Sequence, residues 1–297
     1  MAHGVRRLIP VLILLLASTA AMLLGFSLGK GRVGGAAARR NEVEVVALNV
    51  GHGESAWVRT PGGRFVVIGG GPPGQGAVVA QSLRAAGAER IDLLILPYPY
   101  PEAIGGAEEL LETFPVSMAM EPGGERVNEW QENCRRFLRQ NRVPVRLARA
   151  GQEFVLDGVR IAVLAPTATF TQAEPVSANN SVVVAVRWGE TRFLFAGGME
   201  RGGEFALLAR TPDLSADWLR VAHFGTRQAS SSEFLRLVSP RFAVISVGEN
   251  PDGFPHSETL ERVRATGAEL LRTDEAQGDL RFVSDGNSVR RVTAPVP

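Results

Sequence analysis

Cysteine, histidine, lysine and tyrosine are all scarce in this chain of 297 residues. Cys134 is the only cysteine, so no disulfide can close within the chain and no thiolate zinc cluster can form. The four histidines are His3, His52, His223 and His256, and His3 precedes the folded part. Imidazole is the commonest metal ligand, so three histidines restrict any metal centre. Lys30 is the only lysine; the remaining basic residues are arginines, which fits a GC-rich genome better than a phosphate-binding face. Neither sign of charge is in excess, with 32 basic and 31 acidic residues. A nucleic-acid-binding domain is expected to concentrate basic charge on one face. A hydrophobic content of 45% excludes a disordered tail, and long apolar runs are absent except one, which excludes a multi-span membrane protein.

That one run extends from Leu8 to Gly29 without a charge. About 20 helical residues at about 1.5 Å each cross the roughly 30 Å bilayer core. Ser18-Thr19-Ala20-Ala21 supplies small residues suited to signal cleavage, but the run exceeds the usual signal core of about 7–15 residues. The expectation is an uncleaved anchor over residues 1–30, a Gly/Ala/Arg linker over 31–40 and one folded domain over 41–295. Arg6 and Arg7 favour a cytoplasmic N-terminus, while Lys30, Arg32, Arg39 and Arg40 oppose it. Signal-like N-termini usually export the chain downstream of them, so the domain is expected outside a bacterial cell membrane, on a single-pass anchor.

After the linker, short apolar strands alternate with helical stretches. Residues 42–49, 55–59 and 65–68 read as strands, the last two joined by Pro61-Gly62-Gly63. Val78 to Ala86 has helical period and stops at Gly87. Leu93 to Leu96 is a buried strand leading into Pro97-Tyr98-Pro99-Tyr100-Pro101, whose prolines predict a stiff extended segment. Helical stretches come next over 108–113 and 128–140. Hairpins are expected around Asp157-Gly158 and Gly189, then helices near 204–208, 232–237 and 259–265, and strands near 219–222, 243–247 and 280–283. This order implies two sheet halves with outer helices in one domain. Gly69-Gly70-Gly71 matches neither phosphate-loop pattern and reads as a turn. Ser230-Ser231-Ser232 before Glu233 reads as a helix N-cap, and no G-x-S-x-G elbow is present.

An ordered set of turns carries a resemblance. Asn49-Val50-Gly51-His52-Gly53-Glu54-Ser55, Thr60-Pro61-Gly62-Gly63 and Val67-Ile68-Gly69-Gly70-Gly71-Pro72 come first. Ile104-Gly105-Gly106, Asn179-Asn180-Ser181, Leu194-Phe195-Ala196-Gly197-Gly198 and His223-Phe224-Gly225-Thr226 are next. Ile245-Ser246-Val247-Gly248, Gly253-Phe254-Pro255-His256 and Arg272-Thr273-Asp274 close the set. Together they resemble the metallo-β-lactamase fold, specifically the hydrolase domain of ComEC-type DNA-uptake proteins, over nearly all of the chain after the linker. The resemblance implies an α/β (α+β) four-layer αββα sandwich, after the N-terminal transmembrane helix, with an active site at one edge.

The departures from that family fall on its metal ligands. Its signature H-x-H-x-D-H, or H-x-D-x-D-H, is replaced by Tyr98, Tyr100, Glu102 and Ala103. Gly69 stands where an aspartate usually ends the third strand, and Gly198 where the metal-bridging aspartate is expected. Phe224 replaces one of two paired histidines, and Phe254 replaces another histidine near the end. A two-metal hydrolase needs several imidazole and carboxylate ligands to make hydroxide near neutral pH. Tyrosine is a poor substitute, and Ala and Gly offer no ligand. The expected protein is therefore a membrane-anchored pseudoenzyme, without cofactor, acting as a binding or scaffolding module for an unknown ligand or protein partner. Tyr98 and Tyr100 would fill the vacated cleft or stack on a ligand. Nucleic acid enters as a partner only through analogy with the family. The alternative is a divergent hydrolase with one Zn or Mn ion held by His52, Glu54, Glu102, His223 and His256.

Overall fold

The computed structural model describes residues 41–293, apart from 125–127, 168–169, 212 and 277. The membrane segment from Leu8 to Gly29 and the linker lie outside the described residues. Among the described residues no helix is long and apolar enough to cross a membrane.

The strands are β1 Val43–Ala47, β2 Ala56–Arg59, β3 Phe65–Ile68, β4 Leu93–Ile95, β5 Ala119–Glu121, β6 Val145–Leu147, β7 Glu153–Leu156 and β8 Val159–Ala165. They continue with β9 Val183–Trp188, β10 Thr191–Phe195, β11 Trp218–Arg220, β12 Phe242–Ile245, β13 Glu269–Arg272, β14 Leu280–Ser284 and β15 Val289–Val292. The helices are α1 Gly76–Ala85, α2 Pro101–Ile104, α3 Ala107–Thr113, α4 Glu129–Gln140, α5 Val176–Asn179, α6 Arg201–Leu208, α7 Ser232–Val238 and α8 Ser257–Arg264. One sheet has the order β15-β14-β1-β2-β3-β4-β5-β6, and the other β13-β12-β11-β10-β9-β8-β7.

Side-chain parity explains the layering. Successive residues of a strand point to opposite faces. Val43, Val45 and Ala47 of β1 enter the core between the sheets, while Val46 enters the core under the helices α1, α3 and α4. On the second sheet, Phe193 and Phe195 of β10 face the first sheet, and Leu194 faces the layer of α6 and α7. Strands buried on both faces are largely apolar, and in β1 the one charged residue, Glu44, is met by Arg59 and Arg281. The architecture is the αββα sandwich expected from the sequence.

Local chemistry sets the helix ends. Asn128 caps α4 by accepting from the Gln131 amide at 2.9 Å, and Ser231 caps α7 by accepting from Phe234 at 3.2 Å. Gly87, with φ of 86°, stands just past the end of α1. The proline-rich segment departs from the expected extended run: Pro101 occupies the first turn of α2, where its missing N–H costs no helical hydrogen bond.

β3 to β6 are mutually parallel, and so are β10 to β13. Strands running the same way deliver the loops at their C-terminal ends to the same edge of the sheet. The segments after β3, β4, β10, β11 and β12 meet the turn between β1 and β2 there, and together they build the cleft.

Candidate functional site

The floor of the cleft is a buried set of three polar side chains. Arg220 shares the parity of Trp218 on β11, so it points between the sheets, where Trp218 is part of the core. Glu54 lies two residues before Ala56, which faces the same core from the other sheet. Arg220 Nη2 and Glu54 Oε1 are 3.9 Å apart, with both side chains almost fully buried. Tyr98, from the loop after β4, donates its hydroxyl to Glu54 Oε2 at 2.9 Å. Burial, and then the Glu54 carboxylate beside it, hold the Tyr98 phenol well above the ordinary tyrosine range. Tyr98 is thus a neutral donor, and Arg220 supplies the positive charge that faces Glu54.

This packing accounts for the replaced positions. A Cβ at Gly198 would lie 3.1 Å from Cδ1 and Cγ of the Tyr98 ring. The phenol therefore occupies the space that an aspartate side chain at 198 would enter. At Gly69, φ is +78° and a Cβ would collide with the Glu54 carbonyl oxygen. Ala103 is buried in the short helix α2 beneath the cleft. The residues present do not fit a two-metal centre: Gly69, Tyr98, Ala103 and Gly198 offer no imidazole or carboxylate, a side chain at 69 would clash with backbone, and one at 198 would press on the Tyr98 ring.

Above the floor, the cleft is lined by rings. His52 packs on Phe224 with centroids 4.5 Å apart and lies 6.0 Å from Phe254. Tyr100 meets Tyr98 edge-on at 5.4 Å and lies 5.9 Å from His223. Phe254 is 5.3 Å from His256, which precedes α8. His223 and Phe224 both have left-handed backbones, with φ of 45° and 54°. Such conformations cost about 1–3 kcal/mol each and persist where surrounding structure over-determines them. Here His223 donates its amide to Gly197, and Thr226 donates its amide to His223.

The five residues expected to hold a single ion do not form one ligand cluster, although Glu102 and His223 lie close enough to His52 to act on its charge. Glu54 is committed to Tyr98 and Arg220. His223 Nδ1 lies 2.9 Å from Glu200 Oε1, which also accepts from Thr226 Oγ1 at 3.2 Å. His52 is engaged with Phe224 and is held below its ordinary imidazole range by burial, against the carboxylates of Glu102 and Asp252. His256 packs on Phe254. Among the described residues no group of three or more His, Cys, Asp and Glu side chains could hold a metal ion. Sequence reasoning missed Arg220 and Glu200. Strand parity with Trp218 was the one signal for Arg220; Glu200 carries none beyond its place two residues after Gly198.

No protein-family profile matches the chain. It is 28% identical over 256 residues to ComE operon protein 3 of Bacillus subtilis and 30% identical over 245 residues to competence protein ComA of Neisseria gonorrhoeae. The matches cover 79% and 82% of this chain but 32% of each relative, so the chain spans about a third of the length of the curated relatives it matches. Among solved structures, the metallo-beta-lactamase fold protein YhfI from Bacillus subtilis superposes with a TM-score of 0.55 at 11% identity, covering 82% of this chain and all of that one. CmlA, a diiron beta-hydroxylase from Streptomyces venezuelae, gives 0.51 at 12% identity over 84% of this chain and 54% of that chain. These structural likenesses carry the fold alone.

Proposed function

The described domain has a metallo-β-lactamase fold of the ComEC type, and from that premise we propose that it is a binding module without hydrolytic activity, held at a membrane by Leu8 to Gly29. The carrying observation is the Tyr98 ring against Gly198, with its hydroxyl on Glu54. A dinuclear hydrolase needs ions at that place to polarise substrate and lower the pKa of water. In this chain a phenol fills the space, and the nearby carboxylate faces a fixed guanidinium. The cleft keeps its shape through loop glycines, strained backbone at His223 and Phe224, and aromatic packing, which suits recognition more than turnover.

Metal content and turnover of the purified full-length chain test this reading. The expected result is substoichiometric Zn and Mn and no cleavage of bis(p-nitrophenyl) phosphate above a Tyr98→Ala, Glu54→Gln control. Stoichiometric metal with metal-dependent turnover overturns it and favours the mononuclear hydrolase. For the anchor, fractionation of tagged protein should find the uncleaved chain with membranes; a shortened soluble product would overturn that part.

A further inference from the structure

The mouth of the cleft combines ring faces with carboxylates. Tyr100, His52, His223 and Phe254 are each only partly buried and pass from ring to ring: Tyr100 to His223 at 5.9 Å, His223 to Phe254 at 6.4 Å, Phe254 to His52 at 6.0 Å. Glu102, in the first turn of α2, lies close enough to act on both Tyr100 and His52, and among the described residues it has no ion pair. Glu200 stands opposite, against His223. We propose that this cleft mouth binds a substituted ammonium group, with the faces of Tyr100, His223 and Phe254 as its walls and Glu102 and Glu200 as its counter-charges. The inference rests on the reading of the cleft as a non-hydrolytic binding module and names its ligand chemistry.

Three observations carry it. Aromatic faces present negative potential, which attracts organic cations and repels anions. The charges acting on Tyr100 are carboxylates, Glu200 first, then Glu102 and Glu174; with burial ahead of them they push its phenol above the usual tyrosine range, so the ring stays neutral. Two basic side chains of β11 and the loop after it are already engaged, Arg220 with Glu54 on the floor and Arg227 with Glu258 at 3.0 Å. His52 adds a further feature. Burial favours its neutral imidazole, whose ring then gives the wall one more uncharged face. A phosphodiester meets the opposite situation: without metal cations, the carboxylates and ring faces repel it.

The test uses the full-length chain in neutral detergent, titrated with tetramethylammonium chloride and, separately, methylammonium chloride. Sodium chloride at matched ionic strength is the control, and sodium dimethyl phosphate is the anionic comparison. The readout is the ligand methyl resonance, which ring currents shift upfield on binding. Saturable binding of either ammonium probe is expected, with Tyr100→Leu weakening it about tenfold, the size of a partly desolvated cation–π contact. Glu102→Gln should weaken binding several-fold while leaving the bound methyl shift in place. Tighter tetramethylammonium points to a quaternary headgroup, and tighter methylammonium to a primary amine such as a lysine side chain. No saturable ammonium binding, binding indifferent to both substitutions, or preferred binding of dimethyl phosphate overturns the proposal. Metal uptake with phosphodiester turnover would instead overturn the binding-module reading, so the two failures are separable.

Discussion

Removing the Arg220 guanidinium while keeping its stem isolates the buried charge pair. Arg220→Met leaves the Glu54 carboxylate between the sheets with one oxygen still accepting from Tyr98 and the other, Oε1, facing no cation. At 3.9 Å, two unit charges interact by about 4 kcal/mol at an effective dielectric constant of about 20. Breaking a buried pair by deleting one partner costs about 3–5 kcal/mol, which agrees. Adding Glu54→Gln removes the unpaired charge and preserves an acceptor for the Tyr98 hydroxyl, so the double variant should regain about 2–3 kcal/mol of that loss. Urea unfolding of the two single variants and the double at pH 7.5 measures the cycle, and the melting temperature should move by about 2–4 °C per kcal/mol for a domain of this size. A cost below about 1 kcal/mol for Arg220→Met, or a double variant no more stable than it, would refute the claim that Arg220 compensates Glu54.

The same geometry sets three further outcomes. Gly198→Asp should lose about 2–4 kcal/mol through contact with the Tyr98 ring and a buried carboxylate, and should lose less in a Tyr98→Ala background; strictly additive unfolding energies would contradict the steric assignment. His52 is held below its unfolded value, so the unfolded chain takes up its proton first and this contribution to stability declines as pH falls through about 6.5. Urea midpoints between pH 7.5 and 5 should fall more steeply for the parent than for His52→Gln, and equal slopes would sink the assignment. Cys134 is buried in α4 with its thiol pushed up to about 12 by burial. It should resist a thiol reagent in the native state and react on unfolding; rapid native labelling would show that α4 opens.

The parts of this protein legible in its sequence are those set by short-range rules. Apolar runs marked β3, β4, β9, β10 and β12, and the alternation of Glu42-Val43-Glu44-Val45 marked β1. Asp157-Gly158 and Gly189 marked two hairpins, and Leu156 does pair with Val159, as Arg192 does with Arg187. Asn128, Ser231 and Gly87 marked helix ends because caps act within one turn. β6 was not legible, since Val145-Arg146-Leu147 is an edge strand of three residues, all exposed, too short for its alternation to stand out from a loop. β13 and β15 carry arginines at their surfaces and become strands through pairing with β12 and β14. The expected departures at Gly69, Tyr98, Tyr100, Glu102, Ala103, Gly198, Phe224 and Phe254 came from setting the letters beside the family's signature, not from any local rule.

What packs on the floor of this site was decided only in three dimensions. Tyr98 and Gly198 are 100 positions apart in sequence, and nothing local states that the ring of one covers the backbone of the other. Arg220 reads as an ordinary strand residue until the second sheet brings Glu54 opposite it, 166 positions earlier in the chain. Local propensity and periodicity depend on neighbours within a few residues. Charge compensation and the filling of a cavity depend on which distant residues the sandwich brings together. The sequence alone therefore determined the elements that short-range rules mark. The tertiary structure determined that a phenol, a carboxylate and a guanidinium from three distant segments meet between the sheets.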